Sequence, residues 1–208
     1  MKTLNKITTL FAITIFALSS LAMVKYAVTS WTIDKSHSAI NFKVTHFFTP
    51  VNGQFHDYNA TVNFDPNNLE ESMIDVEILV ESIDTENERR DGHLQTADFF
   101  NAEKWPHITF KSTNIEKTGE NEFVANGTLT IKDVSKDIQL PFKLLGIMDN
   151  PMKEGTKVAG ITATTTLDRT DYKVGTGDWA ATAVVGDEVT VDLNLELNAE
   201  ASNGSNSY

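Results

Sequence analysis

The chain has 208 residues, with 17 lysines and arginines against 29 aspartates and glutamates, a formal net charge of −12. That balance argues against nucleic acid as a partner, whose binding rests on cations that neutralise phosphates, and against electrostatic docking on an anionic membrane surface. There are 0 cysteines, which removes thiolate nucleophiles, redox pairs and cysteine-based zinc sites, while a domain of this length buries enough surface to fold without disulfides.

Residues 1–22 read as a secretory signal peptide. Lys2 and Lys6 give a positive start, Ile7 to Leu18 is an apolar run broken by Thr8, Thr9 and Thr14, and Ser20-Leu21-Ala22 places small residues at the −3 and −1 positions of a cleavage site. The run is short for a membrane span, so the expectation is cleavage, a periplasmic or secreted product, and no stable membrane insertion afterwards. Residues 23–30 read as a linker and 201–208 as a disordered, low-complexity tail. One domain, 31–200, lies between them.

Within that domain the dominant pattern is period two. Ile40, Phe42 and Val44 alternate with polar residues, and Ile33 to His46 reads as one long strand. Tyr58, Ala60, Val62 and Phe64 repeat the pattern, as do Ile74, Val76, Ile78 and Val80, then Ile108 and Phe110, Leu129 and Ile131, and Ile138 to Leu144. Thr162 to Leu167 is a threonine-rich strand, and Val189 to Leu197 alternates without a fault. Pro50-Val51-Asn52-Gly53 is expected to close the first hairpin, and turn residues at Asp65–Asn68, Lys132–Ser135 and Asp149–Pro151 the later ones. Short connections make the neighbours antiparallel. The exception is Thr85 to Pro106, whose polar part near 86–95 suits a short helix. About eight strands, each with one apolar face, close into a barrel or pack as a sandwich. Eight is the number at which a barrel is either filled by side chains or holds one ligand.

Few chemical motifs are present. Gly175-x-Gly177-x-x-Ala180 loosely matches a dinucleotide fingerprint, but that motif needs a strand–helix–strand setting, so it reads as a glycine-hinged loop. His46 and His56 flank the first hairpin without the third ligand a zinc site needs, and no metal site is expected. Arg89-Arg90-Asp91-Gly92-His93 holds an arginine pair in an acidic chain. The pair either orders its loop through Asp91 or meets an anionic headgroup, and Arg90 and His93 are the candidate headgroup contacts. Asp168-Arg169-x-Asp171 reads as an Arg–Asp pair. The inward-facing, ligand-lining candidates are Phe42, Val44, Val76, Ile78, Phe110, Leu129, Phe142 and Leu193, with Phe99, Phe100 and Trp179 near a mouth. Catalytic candidates are absent, apart from a rival reading as a lipid-modifying enzyme that uses His37, His46 or Asp168. A third reading is a structural, partner-binding β-domain with a filled lumen.

Taken in order, several segments resemble the YceI-like family of exported, lipocalin-like lipid-binding proteins. They are Asp34-x-x-His37-Ser38, Phe42-x-Val44-x-His46, Ser82-Ile83-x-Thr85, Arg90-Asp91-x-His93-Leu94, Asp98-Phe99-Phe100, Pro106-x-Ile108-x-Phe110-Lys111-Ser112, Gly127-x-Leu129-Thr130-Ile131 and Asp168-Arg169-x-Asp171-Tyr172. The resemblance spans about Trp31 to Glu200. It implies an all-β, eight-stranded antiparallel lipocalin-like barrel with an internal apolar pocket and no cofactor other than a bound lipid. An isoprenoid quinone or polyprenyl phosphate is the implied ligand type, and pairing into a homodimer is a further implication. Tyr172 stands where many relatives carry phenylalanine.

Overall fold

The structure is a computed structural model that describes residues 28–181 and 183–201. The expected signal peptide, most of the linker and the tail beyond Ala201 lie outside the described residues. Among the described residues, eleven strand segments and one α-helix, with five short 3-10 turns between them, make up the domain: β1 (Ser30–Ile33), β2 (Ala39–His46), β3 (Thr49–Phe55), β4 (Tyr58–Asn63), β5 (Met73–Leu79), β6 (Ile83–Asp84), α1 (Glu88–Leu94), β7 (His107–Gly119), β8 (Glu122–Ile131), β9 (Val134–Asp149), β10 (Thr156–Asp168) and β11 (Val185–Glu200).

Three pairs of these segments run in line. β1 and β2 lie along the same edge of β11, β3 and β4 continue one another beside them, and β5 and β6 do the same beside β4 and β3. Eight antiparallel courses result, each paired to its neighbour in sequence, and β1 closes the ring by pairing with both β4 and β11. Closure through β1 removes the open edges at that level of the barrel, the kind that would template aggregation.

The long first strand expected over Ile33 to His46 is instead broken by a single 3-10 turn, Lys35–His37. The cause is local chemistry. The Asp34 carboxylate accepts from the Ser36 N–H at 2.9 Å and meets the His37 Nδ1 at 3.0 Å, which favours a turn over an extended backbone. Glu196 on β11 bridges the gap, its carbonyl accepting from Asp34 N–H and its own N–H donating to Ser38 Oγ. The neighbouring courses break in register, at His56-Asp57 and at Val80–Ser82. Lys35 Nζ reaches Asp57 at 2.9 Å, and the Asp57 carbonyl accepts from Leu79 N–H and Ser82 Oγ. A row of polar contacts thus folds three adjacent courses along one line.

This arrangement has a measurable consequence. The bond to Asp34, and then the charges of Asp34 and Glu196, raise the His37 pKa above its ordinary 6.5, while His37 and Ser36 hold Asp34 below 3.8. A raised histidine stabilises the fold below pH 6.5, and that contribution fades as pH climbs through the folded-state value. A depressed aspartate stabilises it above pH 3.8, and that contribution is lost on acidification. In an NMR titration His37 is expected to titrate above 6.5 and to fall back toward it in Asp34→Asn; an unshifted His37 in the parent would refute the pairing.

The first hairpin also turns earlier than the sequence suggests. Its tip is Phe47-Phe48, and Pro50 to Gly53 lie inside β3, with Pro50 opposite Thr45. Proline is tolerated there because β6 pairs only with Gln54 and Phe55, so the outer side of Pro50 has no ladder partner to lose. Beyond β6 no further strand pairs at that level among the described residues. Residues 85–106, including α1, fill the place, tied down by Val80 N–H donating to the Pro106 carbonyl at 2.8 Å.

One end of the barrel is packed shut. Phe64, Phe123 and Phe142 meet with ring centroids 5.2–5.5 Å apart, Phe64 edge-on to the other two and the Phe123–Phe142 pair stacked. Trp31 covers them, its indole N–H donating to the Phe64 carbonyl at 2.9 Å. These rings supply most of the apolar mass at that end, in the offset and edge-to-face geometries aromatic rings favour.

Candidate functional site: an apolar barrel lumen

Above the aromatic floor the inward side chains do not meet. They leave a cavity of about 650 Å³ that opens at the α1 end, and a second, deeper chamber of about 130 Å³ lies next to it. Ile40, Ile78, Leu129, Leu167 and Val191 belong to the walls of both and mark the junction.

The register of the strands explains the lining. On β11 the inward set Val189, Val191 and Leu193 stands opposite Val44, Phe42 and Ile40 of β2, so two apolar rows run side by side down one wall. Opposite them, Val76 pairs with Phe110 and Phe110 with Leu129 across β5, β7 and β8. Phe42, Val44, Phe99, Phe100 and Trp179 line the upper cavity; Val76, Phe110, Phe142 and Leu193 line the lower chamber; Ile78 and Leu129 face both. The lumen therefore gathers all eleven apolar candidates. The Phe42 ring crosses the wall where β3 has Gly53: a Cβ there would come within 2.3 Å of Phe42 Cζ and 2.8 Å of the Thr85 methyl. Glycine is what lets that ring lie flat against the strand.

The mouth is aromatic on one side and basic on another. His93 stands edge-on to Phe99 and Trp179 at 5.1 and 5.0 Å, with its Nε2 3.2 Å from Asp98. The arginines divide their work differently from the sequence expectation. Arg90 does not pair with Asp91. Both turn to Thr85: Arg90 Nε donates to Thr85 Oγ1 and Nη2 to its carbonyl, each at 2.6 Å, while Asp91 accepts from Thr85 N–H and hydroxyl. Thr85 is buried, so this knot anchors α1 onto the barrel. Arg90 and His93 do line the upper cavity, but each already has a protein partner. Arg89 is the exposed guanidinium at the mouth that has no hydrogen bond or ion pair among the described residues. Neighbouring positions on a helix point about 100° apart, so only the helical phase separates the anchoring arginine from the free one.

Arg169 was expected to pair with Asp168 or Asp171. It pairs with neither. It is 6% exposed and lines the upper cavity, where it donates to the carbonyls of Gly186, Val174, Trp179 and Val185 at 2.7–2.9 Å. Asp168 instead accepts from Thr170, and Asp171 meets Lys136 at 2.7 Å. Burial lowers the Arg169 pKa and the charges of Asp168 and Asp187 raise it, burial being the larger effect. Tyr172 is buried in the same wall.

The catalytic candidates are scattered. His37 sits at the strand break, His46 at the end of β2 and Asp168 at the end of β10, and no hydrogen bond or ion pair joins any two of them. His46 and His56 do not face each other, since His56 bonds to Asp84 and Gln54. The donor atoms of Asp34, His37 and Glu196 lie within 4.8 Å of one another, a spacing a cation could use, but this ion-paired group lies outside the lumen. Gly175 and Gly177 adopt positive φ in a loop, with no strand–helix–strand unit around them.

The family model described as a YceI-like domain matches residues 31–197. The chain belongs to the YceI-like family. Protein YceI of Salmonella agona is 33% identical over 167 residues, covering 80% of this chain and 84% of that one. Among solved structures, the Campylobacter jejuni YCEI protein superposes with a TM-score of 0.65 at 36% identity, over 85% of this chain and 98% of that one. A domain from Saccharophagus degradans, described as polyisoprenoid-binding, shares the fold at a TM-score of 0.59 and 16% identity, over 82% of this chain and 99% of that one. The YceI-like barrel is thus the frame of the lumen, and its expected eight antiparallel strands are the architecture observed.

Proposed function

We propose that the chain is an exported carrier or buffer for a long-chain apolar lipid, of isoprenoid quinone or polyprenyl type, held tail-first in the lumen. The observation that carries this reading is the apolar lumen: a cavity within the usual 300–1,000 Å³ of ligand sites, open at the α1 end, with a smaller apolar chamber beyond it and aromatic rings packed at the other end of the barrel. The name of the Saccharophagus domain points to the same ligand class on the same fold. The energetics suit a tail. Burying about 20 carbons gives on the order of 16 kcal/mol gross at roughly 0.8 per carbon, against association costs of about 4–15 kcal/mol. The headgroup then adds little, and Arg89 is the free cation placed to meet it. Export to the periplasm or beyond is supported by the sequence of residues 1–22, and pairing of two barrels is taken over with the family.

Native mass spectrometry of protein released by osmotic shock tests the reading. The expected species lacks residues 1–22 and carries one isoprenoid, displaced by added long-chain competitor. Protein that is uniformly ligand-free and ignores added isoprenoids would end the carrier proposal.

A further inference from the structure

The two-residue tip between β2 and β3 is built against its own turn chemistry. Phe47 has a φ of +53°, a left-handed backbone that favours asparagine or glycine in a hairpin and disfavours a bulky ring. Little packing holds them there: Phe48 is 98% exposed, and Phe47, 57% exposed, meets only the edge of the His46 ring at 4.6 Å among the described aromatic contacts. Their place in the fold is specific. The strand ends that carry them, through Val44, His46 and Val51, form part of the cavity mouth.

A second loop adjoins the tip. Phe47 N–H donates to the Val184 carbonyl at 2.9 Å, and Gly186 lies against Thr45. Residues 44–53 and 179–186 contain no aspartate, glutamate, lysine or arginine. Trp179, exposed Ala180, Ala181 and Ala183, and the phenylalanine tip therefore form one rim poor in charge on one side of the opening, with His46 beneath the tip and exposed Asp178 at its margin, in a chain otherwise strongly acidic.

We propose that this rim docks reversibly on the surface of a lipid bilayer, with Phe47 and Phe48 entering the headgroup–acyl boundary beside the open mouth. The inference rests on the carrier reading, which supplies the reason for such a contact: a water-insoluble cargo must pass between bilayer and lumen. The shape selects the partner. A convex tip with two outward rings finds no cover on a flat protein face, but partitions into an interface that accepts aromatic side chains to a depth of about 5–10 Å. With no carboxylate, ammonium or guanidinium in these two segments, entry avoids the largest desolvation penalty, that of a full charge. Docking of this kind is apolar, so it persists in high salt and needs no anionic lipid.

The test uses the chain from residue 23, which contains every strand of the closed barrel, and neutral phosphatidylcholine vesicles. Flotation should recover protein with the vesicles at both low salt and 0.5 M salt, and brominated lipid should quench Trp179 fluorescence. Phe48→Ser, at a side chain 98% exposed, should lower the partition coefficient at least about tenfold, since each ring buried is worth a factor of that size or more. Phe48→Trp should retain it, and Met152→Ser, 94% exposed at the closed end, should leave it unchanged. Equal partition of Phe48→Ser and parent overturns the proposal, as does a Phe48-dependent dimer with no vesicle binding. Mass spectrometry of the same samples separates the two readings: lipid retained without vesicle binding removes the docking rim alone, whereas Phe48-dependent vesicle binding by a protein that never holds lipid removes the carrier alone.

Discussion

Arg169→Lys is expected to destabilise the fold by about 3 kcal/mol or more, although it keeps the charge. The side chain uses four N–H groups on four carbonyls, those of Val174, Trp179, Val185 and Gly186, which together wrap the loop between β10 and β11 around one guanidinium. An ammonium has three donors on a single atom and cannot span that fork. At least one buried carbonyl is then left unpaired, at roughly 1–3 kcal/mol each, and the shorter reach of lysine strands more than one. Arg169→Met leaves all four without a donor and is expected to cost more. The surroundings are fitted to the guanidinium: a Cβ on Gly175 would fall 2.2 Å from Arg169 Nη1. Urea unfolding reads the stability, and hydrogen exchange over 174–186 should show that loop opening first. The loop matters to the site because it carries Trp179, which packs on Phe99 and His93 at the mouth. An unchanged unfolding midpoint in Arg169→Lys would show that the carbonyls are satisfied by solvent and that the loop does not depend on this residue.

Arg169 also marks where sequence reading stops. What alternation can say, it says well. Val189 to Leu197 is regular because β11 is half-wet along its length, and each of the apolar candidates taken from such patterns faces the lumen. Period two fixes a face, and in a closed barrel one face has only one place to go. Whether the inward residues would meet or leave a space was not in the pattern, since that depends on barrel diameter and on how side chains from opposite walls stagger. The strand breaks were hidden for a different reason. Asp34-x-x-His37-Ser38 shows its role only when Glu196, far away in sequence, arrives to bridge the gap. The hairpin was misplaced because proline and asparagine-glycine outweighed Phe-Phe as turn signals, while the free outer side of β3 that makes Pro50 harmless is a tertiary fact. Asp168-Arg169-x-Asp171 misled similarly, since nearby opposite charges suggest an ion pair, and the backbone carbonyls that actually compete for the guanidinium leave no trace in the side-chain pattern.

Val191→Trp is expected to shorten the lipid the barrel accepts without unfolding it. Val191 lies at the boundary between the upper cavity and the lower chamber and faces both. It pairs with Thr165 on β10 and Phe42 on β2, so its backbone is held from both sides, and the added indole has only the lumen to occupy. Filling a void that already exists avoids the overpacking that usually makes small-to-large changes costly, so the unfolding midpoint should hold or rise slightly. The lower chamber is lost to the ligand. Displacing about four or five tail carbons from it removes on the order of 3–4 kcal/mol at roughly 0.8 per carbon, a fall of several hundred-fold in affinity for the longest tails. Short chains that end above the junction should bind as before. Affinities for a series of isoprenoid alcohols of increasing length, read by displacement of a fluorescent fatty acid, should rise with length in the parent and level off earlier in the variant. If parent and variant show the same length dependence, tails do not pass the junction formed by Ile40, Ile78, Leu129, Leu167 and Val191, and the ligand is confined to the upper cavity.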